Sequence, residues 1–247
     1  MFAIYSKELR SLFLSPLAWS LMIAMQLVLG WLFLVQVEQY LELQPKLAAL
    51  DNAPGVSVLV IAPLLNSAGV VIMMLVPLLT MGIFTRESGR GTLDLLFSSP
   101  VSITAIVMGK YLAVLTLLAA VLLLVALLPL SLLLGTRPDI GTLAAGLLAI
   151  ALASAAYAAV GIWTSSLTQQ PAVAALSSYT LLLLLWIINL TGGGDANSPL
   201  QQLSLSSHFQ RMLSGLVTSG DIAYFLLLIL TGLVLCVYRL ERLRREG

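Results

Sequence analysis

Arg86-Glu87-Ser88-Gly89-Arg90-Gly91-Thr92-Leu93-Asp94-Leu95-Leu96-Phe97-Ser98-Ser99-Pro100 is the densest charge cluster before the C-terminal residues, and a long apolar run lies on either side of it. A polar stretch between two oily spans must emerge into water at a membrane surface. Gly89 and Gly91 break what precedes them, and Thr92 then offers a hydroxyl to the free amides of a new first turn. Asp94 falls in that turn, where a carboxylate suits the positive end of the helix dipole. Leu93, Leu95, Leu96 and Phe97 make the short helix greasy, and Ser98-Ser99-Pro100 stops it. A second helix start is read at Ser102, with Gly109-Lys110 leading into the next apolar run. The stretch thus holds an apolar helical knob outside the bilayer, the shape that a grooved partner protein binds.

The rest of the composition agrees with a membrane setting. Of 247 residues, 60% are hydrophobic and 9% charged, against roughly 45–50% and 25% in globular proteins. The whole chain, residues 1–247, is read as a single all-α transmembrane domain. Six spans are expected near 17–36, 65–84, 108–134, 142–165, 172–190 and 222–239, each close to the ~20 residues that cross about 30 Å of hydrocarbon. Met1 to Ser15 reads as an N-terminal amphipathic helix. Phe2, Tyr5, Leu9, Leu12 and Phe13 share one face and Lys7, Arg10 and Ser11 another, the pattern of a helix lying among headgroups. No cleavable signal is read there. A loop of about 28 residues with Glu38, Glu42, Lys46 and Asp51 joins the first two spans. Its apolar end, Val56 to Leu65, is read as interfacial or re-entrant because Pro63 interrupts it. Pro77 should kink the second span.

With six spans both termini share a side. That side carries nine basic residues (Lys7, Arg10, Arg86, Arg90, Lys110, Arg239, Arg242, Arg244 and Arg245) and the other three (Lys46, Arg137 and Arg211). The asymmetry places the termini and the Arg86–Lys110 loop in the cytoplasm. The segment 191–221 then faces outward. It opens on the flexible turn Thr191-Gly192-Gly193-Gly194-Asp195. Leu203, Leu205, Phe209, Met212 and Leu216 follow as a short helix resting on the outer leaflet, and Asp221 precedes the last span. Ala151, Ala155 and Ala159, with Ser154, Ala158 and Gly161, form a small-residue stripe that admits a close neighbour helix, of the same chain as the favoured reading or of a second copy.

Several chemistries are excluded. No ionisable residue is expected inside a span, so the means by which a carrier holds a coupling ion is missing. Gln26, Gln36 and Asn189 are polar exceptions, read as helix-to-helix hydrogen bonds or near-surface residues. Gly109-Lys110 lacks the glycine five residues earlier that a phosphate-binding loop needs, so any ATP is hydrolysed by a separate chain. The one histidine, His208, sits in the outer loop among Ser204, Ser206 and Ser207 with no evident partner, read as a water-exposed polar residue rather than a proteolytic base. With one Cys (Cys236) and one His there is no metal site. The net charge of +1 provides no nucleic-acid surface.

Arg86-Glu87, Gly91-Thr92-Leu93-Asp94-Leu95-Leu96, Ser99-Pro100-Val101-Ser102 and Gly109-Lys110 together resemble the cytoplasmic loop of ABC-2-type transporter permeases, with Asp94 where Glu is more usual. Lys7-Glu8-Leu9 with Ser15-Pro16 resembles that family's N-terminal interfacial helix, and Ser165-Ser166-Leu167-Thr168 the short loop before its fifth span. His208-Phe209, Gly215 and Asp221 to Phe225 are similar to the outer segment of the subgroup containing gliding-motility and nitrous-oxide-reductase-maturation permeases. The resemblance implies a non-enzymatic half-transporter of the bacterial inner membrane that binds no cofactor itself. Two permease copies, identical or related, would pair in the lipid. Two ABC ATPase subunits carrying ATP and Mg would sit beneath, with an accessory membrane or periplasmic subunit as a further partner. Arg86, Glu87, Arg90, Gly91, Thr92, Leu93, Asp94, Leu95, Leu96, Phe97 and Pro100 would form the ATPase-coupling site, and Lys7, Glu8 and Arg10 the polar side of the interfacial helix. Export or mechanical transmission is the expected function. A non-transporting scaffold that anchors an ATPase is the alternative, and a channel acting alone is a third reading.

Overall fold

The computed structural model describes residues 2–47, 55–89, 91, 101–136, 139–191 and 202–246. These residues form helices and short connections, with no strand among them. α1 is Phe2–Phe13 and α2 is Pro16–Leu47. A wide π-turn, Ser57–Ile61, runs directly into α3, Ala62–Thr80, and α4 follows as Gly82–Gly89. α5 is Ile103–Ser131, α6 Ile140–Leu167 and α7 Pro171–Thr191. The short α8, Leu205–Leu213, and the long α9, Ser219–Glu246, complete the chain. Six segments are long and apolar enough to cross a bilayer, as the sequence predicts. The protein is an integral, multi-pass membrane protein.

α6 is the axis of the bundle. It touches α3, α5, α7, α8 and α9, most extensively α9. Its small residues explain this position. Ser154, Ala158 and Ala159 are buried, and Gly161 faces Thr80 of α3 so closely that a Cβ there would collide with the threonine hydroxyl. The small-residue stripe therefore serves packing within the chain. Tyr111 of α5 donates to the Ala155 carbonyl at 3.1 Å on the same helix, and Gln26 of α2 reaches the Leu124 carbonyl of α5 at 3.3 Å. That last contact is the helix-to-helix bond read for Gln26; the side chain of Asn189 lies outside the described residues.

Four expectations are corrected. The first helix does not end near residue 36: it continues to Leu47, so Glu38 and Glu42 ride on an exposed helical extension rather than in a loop. The stretch 56–65 is not a separate segment but is continuous with the second span. Val56, Val60, Ile61 and Leu64 are buried and the backbone runs helically into α3, because Pro63 falls in the first turn, where its missing N–H costs no bond. Ser165, Ser166 and Leu167 belong to the last turn of α6, leaving a connection of only Thr168 to Gln170. The short helix α8 does not rest its apolar face on a leaflet: Leu205, Phe209, Met212 and Leu213 are buried against α6 and α7. Pro77 lies inside α3, which ends at Thr80 with Met81 as its cap.

α1 lies at the edge of the bundle, with Ile4, Leu12 and Phe13 partly buried against it. None of its residues is buried, and it lies along α5, with Tyr5 hydrogen-bonded to Thr116 at 3.0 Å. Its apolar face is thus partly occupied by α5, while Lys7, Arg10 and Ser11 are exposed.

Candidate functional site

α5 begins at Ile103, capped by the Ser102 hydroxyl accepting from the Ala105 amide at 3.3 Å. Lys110 therefore falls in its third turn, inside a span. Lys110 lies within the third span even as bounded from sequence at 108–134, so the reading of spans without ionisable groups does not hold, and the structure shows what compensates the charge. The Lys110 side chain is 1% exposed. Its ammonium donates to Glu87 Oε1 at 2.8 Å, to the Ile83 carbonyl at 3.1 Å and to Glu8 Oε1 at 3.3 Å. Three N–H groups thus meet three acceptors, a full complement for lysine. The Phe84 ring lies 5.0 Å from the nitrogen and adds a cation–π contact. Glu8 comes from α1 and Glu87 from α4, so one cation joins three separate elements.

The end of α4 is fixed from the other side by α6. The Ser165 hydroxyl donates to the Met81 carbonyl at 3.0 Å and accepts from the Phe84 amide at 3.0 Å. These are the groups that the break between α3 and α4 leaves without helical partners. Arg86 is exposed and lines a small cleft with Glu8, beside the backbone of Gly82. After Gly89 the chain turns at Gly91, whose amide bonds to the Ser88 carbonyl at 3.3 Å and whose φ of +65° is a left-handed conformation natural to glycine. Of the residues read as an ATPase-coupling site, Arg86, Glu87 and Gly91 are therefore in view. Arg90, Thr92, Leu93, Asp94, Leu95, Leu96, Phe97 and Pro100 lie outside the described residues, as does the turn from Gly192 to Asp195.

Glu8 and Lys110 bring α1, α4 and α5 to one end of the bundle. Ser102 and Thr104 share a cleft at that end with Glu241, Arg244 and Arg245 of α9. The first helix, the end of the last helix, α4 and the start of α5 therefore meet at the same end, as six spans require.

The opposite end holds a second polar cluster. His208 is buried, not exposed, and it has a partner, which corrects the sequence reading. Its Nδ1 lies 2.7 Å from Asp221 Oδ1, and its Nε2 lies 2.9 Å from the Gln202 carbonyl. Arg211 donates to the same Asp221 oxygen at 2.7 Å, while the Thr218 hydroxyl donates to the other at 2.6 Å. The imidazole stacks on Tyr224, centroids 4.2 Å apart. Ser204 caps α8 through the Ser207 amide. Both imidazole nitrogens thus have partners other than serine, and no Ser–His nucleophile is assembled. The cluster fastens α8 to the start of α9. Among the described residues no three His, Cys, Asp or Glu side chains converge to hold a metal.

Six apolar helices, one of them a small-residue axis on which the others pack, with a charged clasp at one end, make this a multi-pass helical membrane protein. Residues 2–243 match the family described as ABC-2 family transporter protein, and the chain belongs to that family. No curated protein is a significant match to the chain. Membership makes this chain the membrane component of an ABC transporter, a class that works with an ABC ATPase.

Proposed function

We propose that this permease couples ATP hydrolysis by a separate ABC ATPase dimer to export, or to mechanical transmission, across the bacterial inner membrane. Two permease copies pair in the lipid, both termini face the cytoplasm, and the segment from Arg86 to Pro100 is the handle that the ATPase grips. ATP and Mg are bound by the partner. One observation carries this reading: the two flanks of the segment, at Glu87 and Lys110, are held 2.8 Å apart by a buried ion pair. A pull on the segment is therefore delivered to α4 and α5, whose buried faces are packed in the core, rather than absorbed by slack chain. Leu95, Leu96 and Phe97 supply apolar contact with the ATPase, while Arg86, Glu87, Arg90 and Asp94 set approach and orientation.

The test is co-purification. Leu95→Asp with Leu96→Asp should abolish recovery of the ATPase with the permease while insertion into the membrane is unchanged. Survival of the complex would assign docking to another surface. Ion flux through the purified chain in liposomes without nucleotide would instead make it a channel.

A further inference from the structure

We infer that Lys110 makes the N-terminal helix α1 a second driven element: load taken up by the segment after Gly89 reaches α1 through the cation that Glu8 and Glu87 share. This rests on the coupling role proposed above and adds a moving part to it. Lys110 acts here as a positioning residue.

Three observations support the linkage. The ammonium has no spare donor. Its contacts to Glu87, Ile83 and Glu8 use all three N–H groups, and Phe84 covers another approach, so it is a fastening rather than a site for a ligand. Its two carboxylates come from elements with different attachments. α4 is anchored by buried Ile83, Phe84 and Thr85 and by Ser165 of α6. α1 has no buried residue, and only Leu14 and Ser15 separate it from α2. Removing the fastening therefore leaves α1 held by packing along α5, by the Tyr5–Thr116 bond and, at its end, by the Trp19 indole on the Phe13 carbonyl. Finally, the geometry is unequal: Glu87 sits 2.8 Å from the nitrogen and Glu8 3.3 Å. Displacement of α4 against α5 must move the nitrogen or lengthen one of these contacts. Either change alters the hold on Glu8. Lys7 and Arg10 project from the exposed side of α1, so its movement carries two cations across the headgroup layer.

The experiment follows α1 directly, in the full permease–ATPase complex reconstituted in lipid nanodiscs. Spin labels at Ser6→Cys on exposed α1 and Gln169→Cys on the α6–α7 turn report the α1 position, and a Ser88→Cys/Gln169→Cys pair reports α4. A non-hydrolysable ATP analogue should shift both distance distributions in the otherwise unmodified protein. With Glu8→Ala, which keeps α1 helical and leaves the Lys110–Glu87 pair intact, the ATPase should still co-purify and the Ser88 distance should still shift. The Ser6 distribution should broaden and lose its response. Lys110→Met should have the same effect on Ser6. An undiminished Ser6 shift in Glu8→Ala overturns the inference, as does a Ser88 response with no Ser6 response in the unmodified protein. Loss of every shift together with loss of the bound ATPase would point instead to failed docking, the outcome assigned to the Leu95 and Leu96 substitutions.

Discussion

Asp221 and His208, thirteen positions apart and on different helices, meet at 2.7 Å with the carboxylate wholly buried. Asp221 sits in the first turn of α9, where a negative charge is favoured, and it is also the acceptor on which His208, Arg211 and Thr218 converge. It ties the short helix α8 to the last span.

Replacing it should release that tie. Asp221→Ala strands the buried His208 ring and should cost about 1–3 kcal/mol. Arg211 is half-exposed and can turn to water, which keeps the loss from being larger. Asp221→Asn preserves shape and one acceptor oxygen and should lose less. Thermal unfolding in nanodiscs ranks the three proteins, and hydrogen exchange should show the loss concentrated in α8. Equal protection of α8 in Asp221→Ala and the unmodified protein would contradict this account.

The contact between Gly161 and Thr80 sets how closely α3 and α6 approach. A methyl group at position 161 has no room beside the Thr80 hydroxyl, which is itself bonded to the Val76 carbonyl at 2.9 Å. Gly161→Ala should destabilise by roughly 1–3 kcal/mol through overpacking, although alanine is the better helix former. Thr80→Ala in the same chain should recover much of the loss, because it removes the atom struck first. A double variant no more stable than Gly161→Ala alone would show that the two helices are not set by this contact.

Asp139 caps α6 through its bond to the Gly141 amide at 2.9 Å and also accepts from the Thr142 hydroxyl at 2.6 Å. The Thr142 bond, and then the Gly141 bond, hold its carboxyl below the ordinary value of 3.8. A depressed carboxylate favours folding above its unfolded value, and that contribution fades as pH falls through the folded one. The stability advantage of the unmodified protein over Asp139→Asn should thus be level at neutral pH and shrink only in acid below 3.8. An advantage that grows on acidification would reverse the assignment.

Why some of this could be read from the sequence and some could not is clear from particular residues. The spans are legible because bilayer thickness is a length requirement that any apolar run meets or fails, and Ser102 is legible as a cap because capping is local. The stripe from Ala151 to Gly161 likewise announces close packing on one helix face. The partners of Lys110 are not legible: Glu87 is 23 positions away and Glu8 102, and only the bundle brings them together. A lysine next to an apolar run reads as the end of a span until helix α5 is seen to begin two turns earlier. His208 misleads similarly. Serines surround it in sequence, but its partner is Asp221, and the only hint was that both fall within stretches similar to one permease subgroup. The extension of α2 to Leu47 was hidden because Glu38, Glu42 and Lys46 resemble loop residues, yet they belong equally to a helix that has left the membrane.

The charge at Lys110 also predicts a result opposite to simple additivity. Lys110→Met fills the same slot with an apolar chain but leaves Glu8 and Glu87 facing each other without their cation. Removing one member of a buried ion cluster typically costs about 3–5 kcal/mol, because the remaining charge stays desolvated. Side-chain exposures of 16% and 18% at Glu8 and Glu87 give the carboxylates some access to water, so the lower end of that range is expected here. Glu8→Gln with Glu87→Gln, added to Lys110→Met, removes the repulsion. The neutral triple variant should therefore be more stable than the single one, although it carries two further substitutions. Unfolding of each variant in nanodiscs measures this. A triple variant less stable than Lys110→Met would mean that the two carboxylates are held by groups other than the lysine. The same triple variant, stable but without the shared charge, should leave α1 unresponsive to nucleotide, which separates the mechanical role of the cluster from its contribution to folding.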